Sequence, residues 1–207
     1  MTARNPAALL RSAIARRYGT WRGAVRAALA QLQLLTGRLA PFHLQQPHRV
    51  RRVVFVCLGN ICRSAYAQQV AERLGMATAS VGLSTTTGAT PPESAIRAAR
   101  LHGYDMARHR ATDLSDFDIL PGDLLLVMEV RQALALTRRL GPDVDVEVAL
   151  LGLWCEPQMP HLHDPYTLSD AYFDRCYSRL DQAVAALHKA LPHLSQPTRN
   201  TVSRSAG

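Results

Sequence analysis

Short apolar runs alternate with helical patterns between residues 53 and 191 of this 207-residue chain. The runs at 53–56, 79–81, 124–127 and 146–151 are too short for helices and are typical of buried strands. Helical patterns follow at 64–74, 91–101, 130–140 and 169–191, and a glycine or proline ends each one. Because this alternation is typical of parallel strands, we predict a three-layer α/β fold with a doubly wound, four-stranded parallel sheet.

Arginines are concentrated at the start of the chain. Residues 1–52 hold ten arginines and no acidic residue, whereas residues 53–207 hold 14 basic and 16 acidic residues. Apolar residues recur at helical spacing in the first segment, at Leu10, Ile14, Trp21, Val25, Leu32 and Leu35. We therefore predict a basic, helical N-terminal extension over residues 1–48, an α/β domain over 49–192 and a flexible tail over 193–207.

The sequence leaves the task of the extension open. A helix that packs on the domain or on a dimer mate explains the pattern, and Pro41 and Pro47 would bracket a short linker. A basic amphipathic helix can instead lie on an anionic membrane surface or bind an acidic partner. An arginine-rich, amphipathic segment without acidic residues is also typical of an organelle transit peptide.

Composition narrows the class of protein. Hydrophobic residues make up 47% of the chain and charged residues 19%, a balance typical of globular proteins. No apolar stretch is long enough for a membrane span, and no secretory signal is recognisable. We therefore expect a cytoplasmic protein whose cysteines are thiols. Few aromatic residues accompany the arginines, so no nucleic-acid partner is expected.

The segment from Cys57 to Ser64 joins the first predicted strand to the first predicted helix. Backbone N–H groups of a tight loop and the helix N-terminus can together bind a phosphate there. Gly59 and Asn60 both tolerate the positive φ that such a loop needs. A thiol at Cys57 would ionise readily in these surroundings, and Arg63 could bind two phosphoryl oxygens with its planar guanidinium. We therefore predict a phosphate-binding loop after the first strand, with Cys57 as a nucleophile.

The segment Val56–Ser64 resembles the signature of the low-molecular-weight protein tyrosine phosphatases, and the resemblance extends from residue 53 to about residue 190. Asp164-Pro165-Tyr166 is similar to the family's Asp-Pro-Tyr loop, and His109 to a histidine that precedes an Ala-Arg pair. The resemblance implies hydrolysis of phosphotyrosine through a phosphocysteine at Cys57, with phosphate as product and no cofactor or metal.

The resemblance also implies the role of each site residue. Arg63 would clamp the phosphate, and Asp164 would be first the general acid and then the general base. His109 would support the loop, and Cys62 could form a protective disulfide with Cys57. The implied substrate-binding residues are Leu58, Gly59, Asn60, Ile61, Cys62, Ser64 and Tyr166.

Some positions differ from the family pattern. Ala65 stands where the family usually has proline, Thr167 replaces a second tyrosine, and Thr112 replaces an arginine. The implied pocket is less aromatic than in the animal branch of the family. In this respect the chain resembles the bacterial branch, which is encoded with capsule and exopolysaccharide genes. The implied partner is then a tyrosine-phosphorylated bacterial autokinase.

Other functions remain as alternatives. An arsenate reductase of the same fold would need relay thiols close in sequence, whereas Cys155 and Cys176 lie 21 residues apart. A non-catalytic phosphotyrosine-binding regulator would be expected to lack one of the catalytic residue types, and all are present. A zinc site formed by Cys57, Cys62, His161 and His163 has suitable ligand types but unusual spacing.

Overall fold

The computed structural model describes residues 6–142 and 144–195. Four parallel strands form one sheet in the order β2-β1-β3-β4. The strands are β1 (Arg52–Cys57), β2 (Thr78–Gly82), β3 (Asp123–Val127) and β4 (Glu147–Leu150). The predicted four-stranded, doubly wound parallel sheet is therefore confirmed.

The helices within the described residues are α1 (Pro6–Tyr18), α2 (Trp21–Leu35), α3 (Arg63–Arg73), α4 (Glu93–Leu101), α5 (Val130–Leu140) and α6 (Asp170–Ala190). One core, which includes Phe55 of β1, packs against α3, α4 and α6, and a second core, which includes Val54, packs against α5. Successive strand side chains point to opposite faces of a sheet. Because both faces are covered, β1 is apolar from Val53 to Cys57.

The N-terminal extension contains two helices where the periodicity predicted one. Gly19 has a φ of 77° and ends the first helical path, because glycine adopts left-handed backbone without steric cost. The side chain of Thr20 then caps α2 by accepting a hydrogen bond from the Gly23 N–H at 2.9 Å. None of the described helices is long and apolar enough to cross a membrane.

The chain after α2 packs against the sheet and does not form a free linker. Leu39 and Phe42 are buried in the second core. The backbone N–H groups of Gln45 and Gln46 donate to the carboxylate of Glu147 on β4, at 2.7 and 2.9 Å. The division at residue 48 stays a prediction, since buried residues lie on both sides of it, Phe42 before and Val50 after.

The first residues of the predicted flexible tail are packed as well. Leu194 is buried, and Ser195 forms an isolated antiparallel bridge with Met76. His193 donates through Nε2 to the carbonyl of Val50 at 2.9 Å. The rest of the predicted tail, residues 196–207, lies outside the described residues.

Candidate active site

The loop after β1 lies where the strand order changes direction. From β1 the chain continues to β2 on one side, and β3 then pairs with β1 on the other side. Ligands of doubly wound sheets bind in the crevice at the carboxyl ends of such strands. Cys57 is the last residue of β1 and Arg63 is the first residue of α3, so both lie at this crevice.

Two donors converge on the sulfur of Cys57. The hydroxyl of Ser64 lies 3.0 Å from Sγ, and the backbone N–H of Asn60 donates to Sγ at 3.2 Å. Asn60 Nδ2 donates to the same Ser64 oxygen at 2.9 Å, which leaves the serine hydrogen available for the sulfur.

Asn60 holds the loop in its shape. Its φ of 51° is left-handed, a conformation that asparagine tolerates better than most residues. Its side chain also donates to Ser80 Oγ at 2.7 Å and accepts from the backbone N–H of Thr112 at 2.9 Å. Every polar atom of the asparagine side chain is therefore used. Of the two residues that tolerate a positive φ, Asn60 adopts it in this loop and Gly59 does not.

His109 supports the backbone of Asn60. Nε2 of His109 lies 2.8 Å from the carbonyl oxygen of Asn60, and a carbonyl only accepts, so Nε2 carries the proton. Burial lowers the pKa of His109, and the hydrogen bond to Asn60 only partly opposes this effect. The replacement at Thr112 leaves the contact with Asn60 intact, since that contact uses the Thr112 backbone.

The guanidinium of Arg63 is fully buried and joins two loops to the site. Nη1 donates to Glu129 at 2.7 Å and to the carbonyl of Leu162 at 2.8 Å, and Nη2 donates to Asp164 at 2.6 Å. Burial disfavours the charge, but Asp164, Cys57 and Glu129 outweigh burial and raise the pKa of Arg63. Nε of Arg63 has no hydrogen-bond partner among the described residues, so it can donate to a bound oxyanion.

Glu129 is a site residue that the sequence analysis missed. It is buried beside Arg63, and Arg131 donates to its other oxygen at 2.7 Å. Burial alone would raise the pKa of Glu129, but Arg63 and Arg131 outweigh burial and lower it to about 2. The available signal was its position just after the buried strand β3, because strand ends of a parallel sheet share one edge.

Asp164 approaches the loop from the segment before α6. Its Oδ2 accepts from Arg63, and its Oδ1 accepts from the backbone N–H of Tyr166 at 3.2 Å. Thr167 has a φ of 64°, so the replacement of the family's tyrosine falls on a left-handed turn residue. Tyr166 and Leu58 are exposed, one on each of the two loops. The structure thus joins Cys57, Ser64, Asn60 and His109 in one hydrogen-bonded network, and it joins Asp164 to Arg63, the residue before Ser64.

The comparisons with known proteins agree with this geometry. Residues 52–196 match the family model described as "Low molecular weight phosphotyrosine protein phosphatase". This chain belongs to that family. The chain is 31% identical over 144 residues to the probable low molecular weight protein-tyrosine-phosphatase AmsI of Erwinia amylovora, a match that covers 69% of this chain and 98% of AmsI. It is also 31% identical over 143 residues to Wzb of Salmonella typhi, covering 68% of this chain and 93% of Wzb.

A solved structure of Wzb from Escherichia coli K30 in complex with sulphate has the same fold. It has a TM-score of 0.59 and 31% identity, and it covers 69% of this chain and 99% of that chain. The predicted family and enzyme class, a protein-tyrosine-phosphatase, are confirmed by these matches. The family match begins at residue 52, so α1 and α2 lie before it.

The four cysteines of this phosphatase are free thiols and all are buried. Burial raises the pKa of Cys62 well above its ordinary value, and it raises the pKa of Cys155 to about 11 and of Cys176 to about 12. Among the described residues, no group of three or more His, Cys, Asp or Glu side chains is arranged to hold a metal. His163, which the sequence offered as a zinc ligand, is instead hydrogen-bonded through Nε2 to the hydroxyl of Thr20 at 3.1 Å.

Proposed function

We propose that this chain hydrolyses phosphotyrosine in proteins through a phosphocysteine intermediate at Cys57. The observation that carries the proposal is the position of one guanidinium between the nucleophile loop and the acid. Arg63 begins the helix that follows the loop of Cys57, and its Nη2 binds Asp164 at 2.6 Å. A phosphoryl group bound by Arg63 and the loop amides would have the thiolate on one side and the carboxyl group near its leaving oxygen.

In the first step, the Cys57 thiolate attacks phosphorus, and the bond between phosphorus and the phenolic oxygen breaks. Protonated Asp164 gives its proton to that oxygen, so neutral tyrosine leaves and Asp164 becomes a carboxylate. Arg63 and the backbone N–H groups of the loop stabilise the charge on the phosphoryl oxygens in the transition state.

In the second step, water attacks the phosphorus of phosphocysteine. Asp164 takes the proton from this water, the bond between sulfur and phosphorus breaks, and inorganic phosphate leaves. Ser64 donates its hydrogen bond to the departing thiolate, which stabilises the charge that returns to sulfur. The proton and the thiolate are then both restored, so the cycle needs neither a metal nor a redox partner.

The substrate proposal rests on the exposed side chains beside the loop. We assign Tyr166 and Leu58 to contacts with the phenyl ring of phosphotyrosine, since both are exposed on loops that carry catalytic groups. The similarity to bacterial Wzb and AmsI supports a bacterial tyrosine autokinase as the physiological partner, in the control of exopolysaccharide or capsule synthesis. We place this activity in the cytoplasm, where the four thiols stay reduced.

The first test is hydrolysis of para-nitrophenyl phosphate in the presence of a chelator and a reductant. We expect wild type to be active, Cys57→Ser to lose turnover while still binding vanadate, and the control Cys155→Ser to retain activity. Cys155 is a suitable control because it lies outside the loop and contacts Arg179. Inactive wild type, or an active Cys57→Ser variant, would refute the phosphocysteine route.

A second test isolates the acid. Asp164→Asn keeps the size of the side chain but cannot give up a proton. General acid catalysis is typically worth roughly 100- to 10,000-fold, so we expect a loss in this range on a phosphotyrosine peptide. Hydrolysis of para-nitrophenyl phosphate should fall much less, because nitrophenolate leaves without a proton. Equal losses on both substrates would exclude Asp164 as the acid.

Two alternatives predict different behaviour. An arsenate reductase needs relay thiols that ionise readily, whereas burial raises the pKa of Cys155 and of Cys176. A non-catalytic binding protein would bind a phosphotyrosine peptide without releasing phosphate. Reduction of arsenate with a thiol donor, or stable binding of uncleaved peptide, would favour one of these functions over hydrolysis.

A further inference from the structure

Large apolar side chains are exposed along one side of α2. These side chains are Trp21, Val25, Leu29, Leu32 and Leu35, and we call them the exposed apolar face. They lie within one broad stripe of the helix, because residues three, four and seven positions apart share a side. Trp21 is 68% exposed and Leu35 is 78% exposed, which is unusual for side chains of this size. Leu9 and Leu10 of the preceding helix α1 are exposed as well.

The other side of α2 is already packed on the domain. Gly23 and Ala30 are buried, and a Cβ at Gly23 would lie only 2.8 Å from the ring of His163. Thr20 is hydrogen-bonded to the same ring, and Arg179 of α6 donates to the carbonyl of Arg17 at 2.8 Å. These contacts fix the orientation of α2. The exposed apolar face therefore lies outside the core of the phosphatase domain, although Trp21 and Val25 border a groove with residues 157–159 and Leu29 borders one with Leu134.

Arginines accompany the exposed apolar face. Arg22 and Arg26 lie beside it on α2, and Arg11, Arg16 and Arg17 lie on α1. No acidic residue occurs in residues 1–52. Within the described residues, none of these five arginines forms a salt bridge. The surface is therefore apolar along its centre, and the arginines at its edges have no ion-pair partner among the described residues.

We propose that the exposed apolar face of α2 and its flanking arginines bind the surface of an anionic lipid bilayer. Interfacial helices insert apolar side chains at the boundary of headgroups and acyl chains, and their arginines bind anionic headgroups. A second copy of the chain fits less well, because a symmetric contact would bring two arginine-rich surfaces together. Nucleic acid would bind the arginines but would leave the leucines in water. This inference does not depend on the proposed function.

The same helix touches the catalytic segment. Thr20 and Gly23 contact His163, which directly precedes Asp164. The element that binds the bilayer would therefore also pack against the loop of the acid. An enzyme held in this way would work on phosphorylated segments that lie close to a membrane surface.

The test measures binding of the full chain to lipid vesicles. We expect cosedimentation with vesicles of phosphatidylglycerol and phosphatidylcholine, and little with phosphatidylcholine alone. The double variant Leu32→Gln/Leu35→Gln should bind the anionic vesicles more weakly, by on the order of tenfold or more. The matched control is Leu101→Gln, because Leu101 is also 78% exposed but lies on α4. All variants should keep their hydrolysis of para-nitrophenyl phosphate, which shows that they fold.

Tryptophan fluorescence provides a second readout. The chain has two tryptophans, Trp21 and Trp154, so a Trp154→Phe background reports on Trp21 alone. Its emission should shift to the blue on addition of anionic vesicles. The proposal is overturned if wild type does not bind these vesicles, if Leu101→Gln weakens binding as much as the double variant, or if ultracentrifugation shows a dimer that the double variant abolishes. Binding to DNA in place of vesicles would also overturn it.

Discussion

Replacement of Glu129 by alanine tests whether the buried charge network holds Arg63. Both side chains are buried, and their ion pair measures 2.7 Å. Removal of one partner of a buried pair typically costs about 3–5 kcal/mol, because the other charge is left uncompensated. Asp164 and the carbonyl of Leu162 still bind Arg63 in the variant, so we expect a value near the lower limit.

The pKa of Glu129 gives a second estimate of the same quantity. The network lowers this pKa from 4.5 to about 2. Since one pKa unit corresponds to about 1.4 kcal/mol, the shift corresponds to about 3 kcal/mol of stability at neutral pH. For a chain of this size, such a loss lowers the melting temperature by roughly 6–12 °C.

The assay is urea unfolding of wild type and Glu129→Ala between pH 7 and pH 3. A lowered pKa in the folded state stabilises the fold above the unfolded pKa of 4.5, and this contribution is lost as the pH falls towards 2. The difference in unfolding free energy should therefore be constant above about pH 5 and shrink below it. Phosphatase activity should fall as well, because Arg63 loses one of its fixed partners.

Two control variants separate charge from shape. Glu129→Gln keeps an acceptor for Arg63 without the charge, so it should lose less stability than Glu129→Ala. Arg131→Gln removes the exposed partner of Glu129 and should cost less than about 1 kcal/mol. A Glu129→Ala variant within about 0.5 kcal/mol of wild type at pH 7 would refute the reasoning, as would a difference that grows on acidification.

Three further predictions concern the loop, the extension and the thiols. Gly82→Ala should cost about 1–3 kcal/mol of stability and weaken inhibition by phosphate, because the new Cβ would lie 3.0 Å from the Leu58 carbonyl. Unchanged inhibition would show that the loop can move aside. Thr20→Val should slow cleavage of phosphotyrosine about fivefold and cleavage of para-nitrophenyl phosphate less, because the His163 ring next to Asp164 loses its hydrogen bond to Thr20. Equal effects on the two substrates would assign Thr20 a purely structural role. Iodoacetamide at pH 7 should label Cys57, and phosphate should protect it. Cys155 and Cys176 should stay unmodified because burial raises their pKa. Peptide mass spectrometry that finds Cys155 or Cys176 labelled before Cys57 would contradict this prediction.

The strands and the site loop could be predicted because their signals are local. An apolar run followed by Cys57 and Arg63 at a fixed spacing requires only a strand, a tight loop and a helix N-terminus. The helix over residues 130–140 was predicted with the bounds that the structure has, since Gly141 ends it with a φ of 74°. In each of these cases, neighbouring residues alone decide the conformation.

Glu129 could not be predicted in the same way. It looks like an ordinary polar residue before a helix, and its partner Arg63 lies 66 positions earlier. The burial of a carboxylate depends on that distant charge, which no local pattern contains. The break at Gly19 was missed for a related reason, because the apolar periodicity continues across it. That periodicity marks the exposed apolar face of α2, whereas small residues such as Gly23 and Ala30 make the contact with the domain.

The contact between the N-terminal helices and the acid loop also has a consequence for synthesis. Thr20 meets His163, which is made 143 positions later, and Arg17 meets Arg179, which is made 162 positions later. At a translation rate of roughly 5–20 residues per second, these contacts can form only about 7–30 s after α2 has been synthesised. During this time both sides of the helix are open to solvent, to chaperones or to a nearby bilayer. Assembly of the extension on the catalytic domain is therefore a late event in the life of the nascent chain.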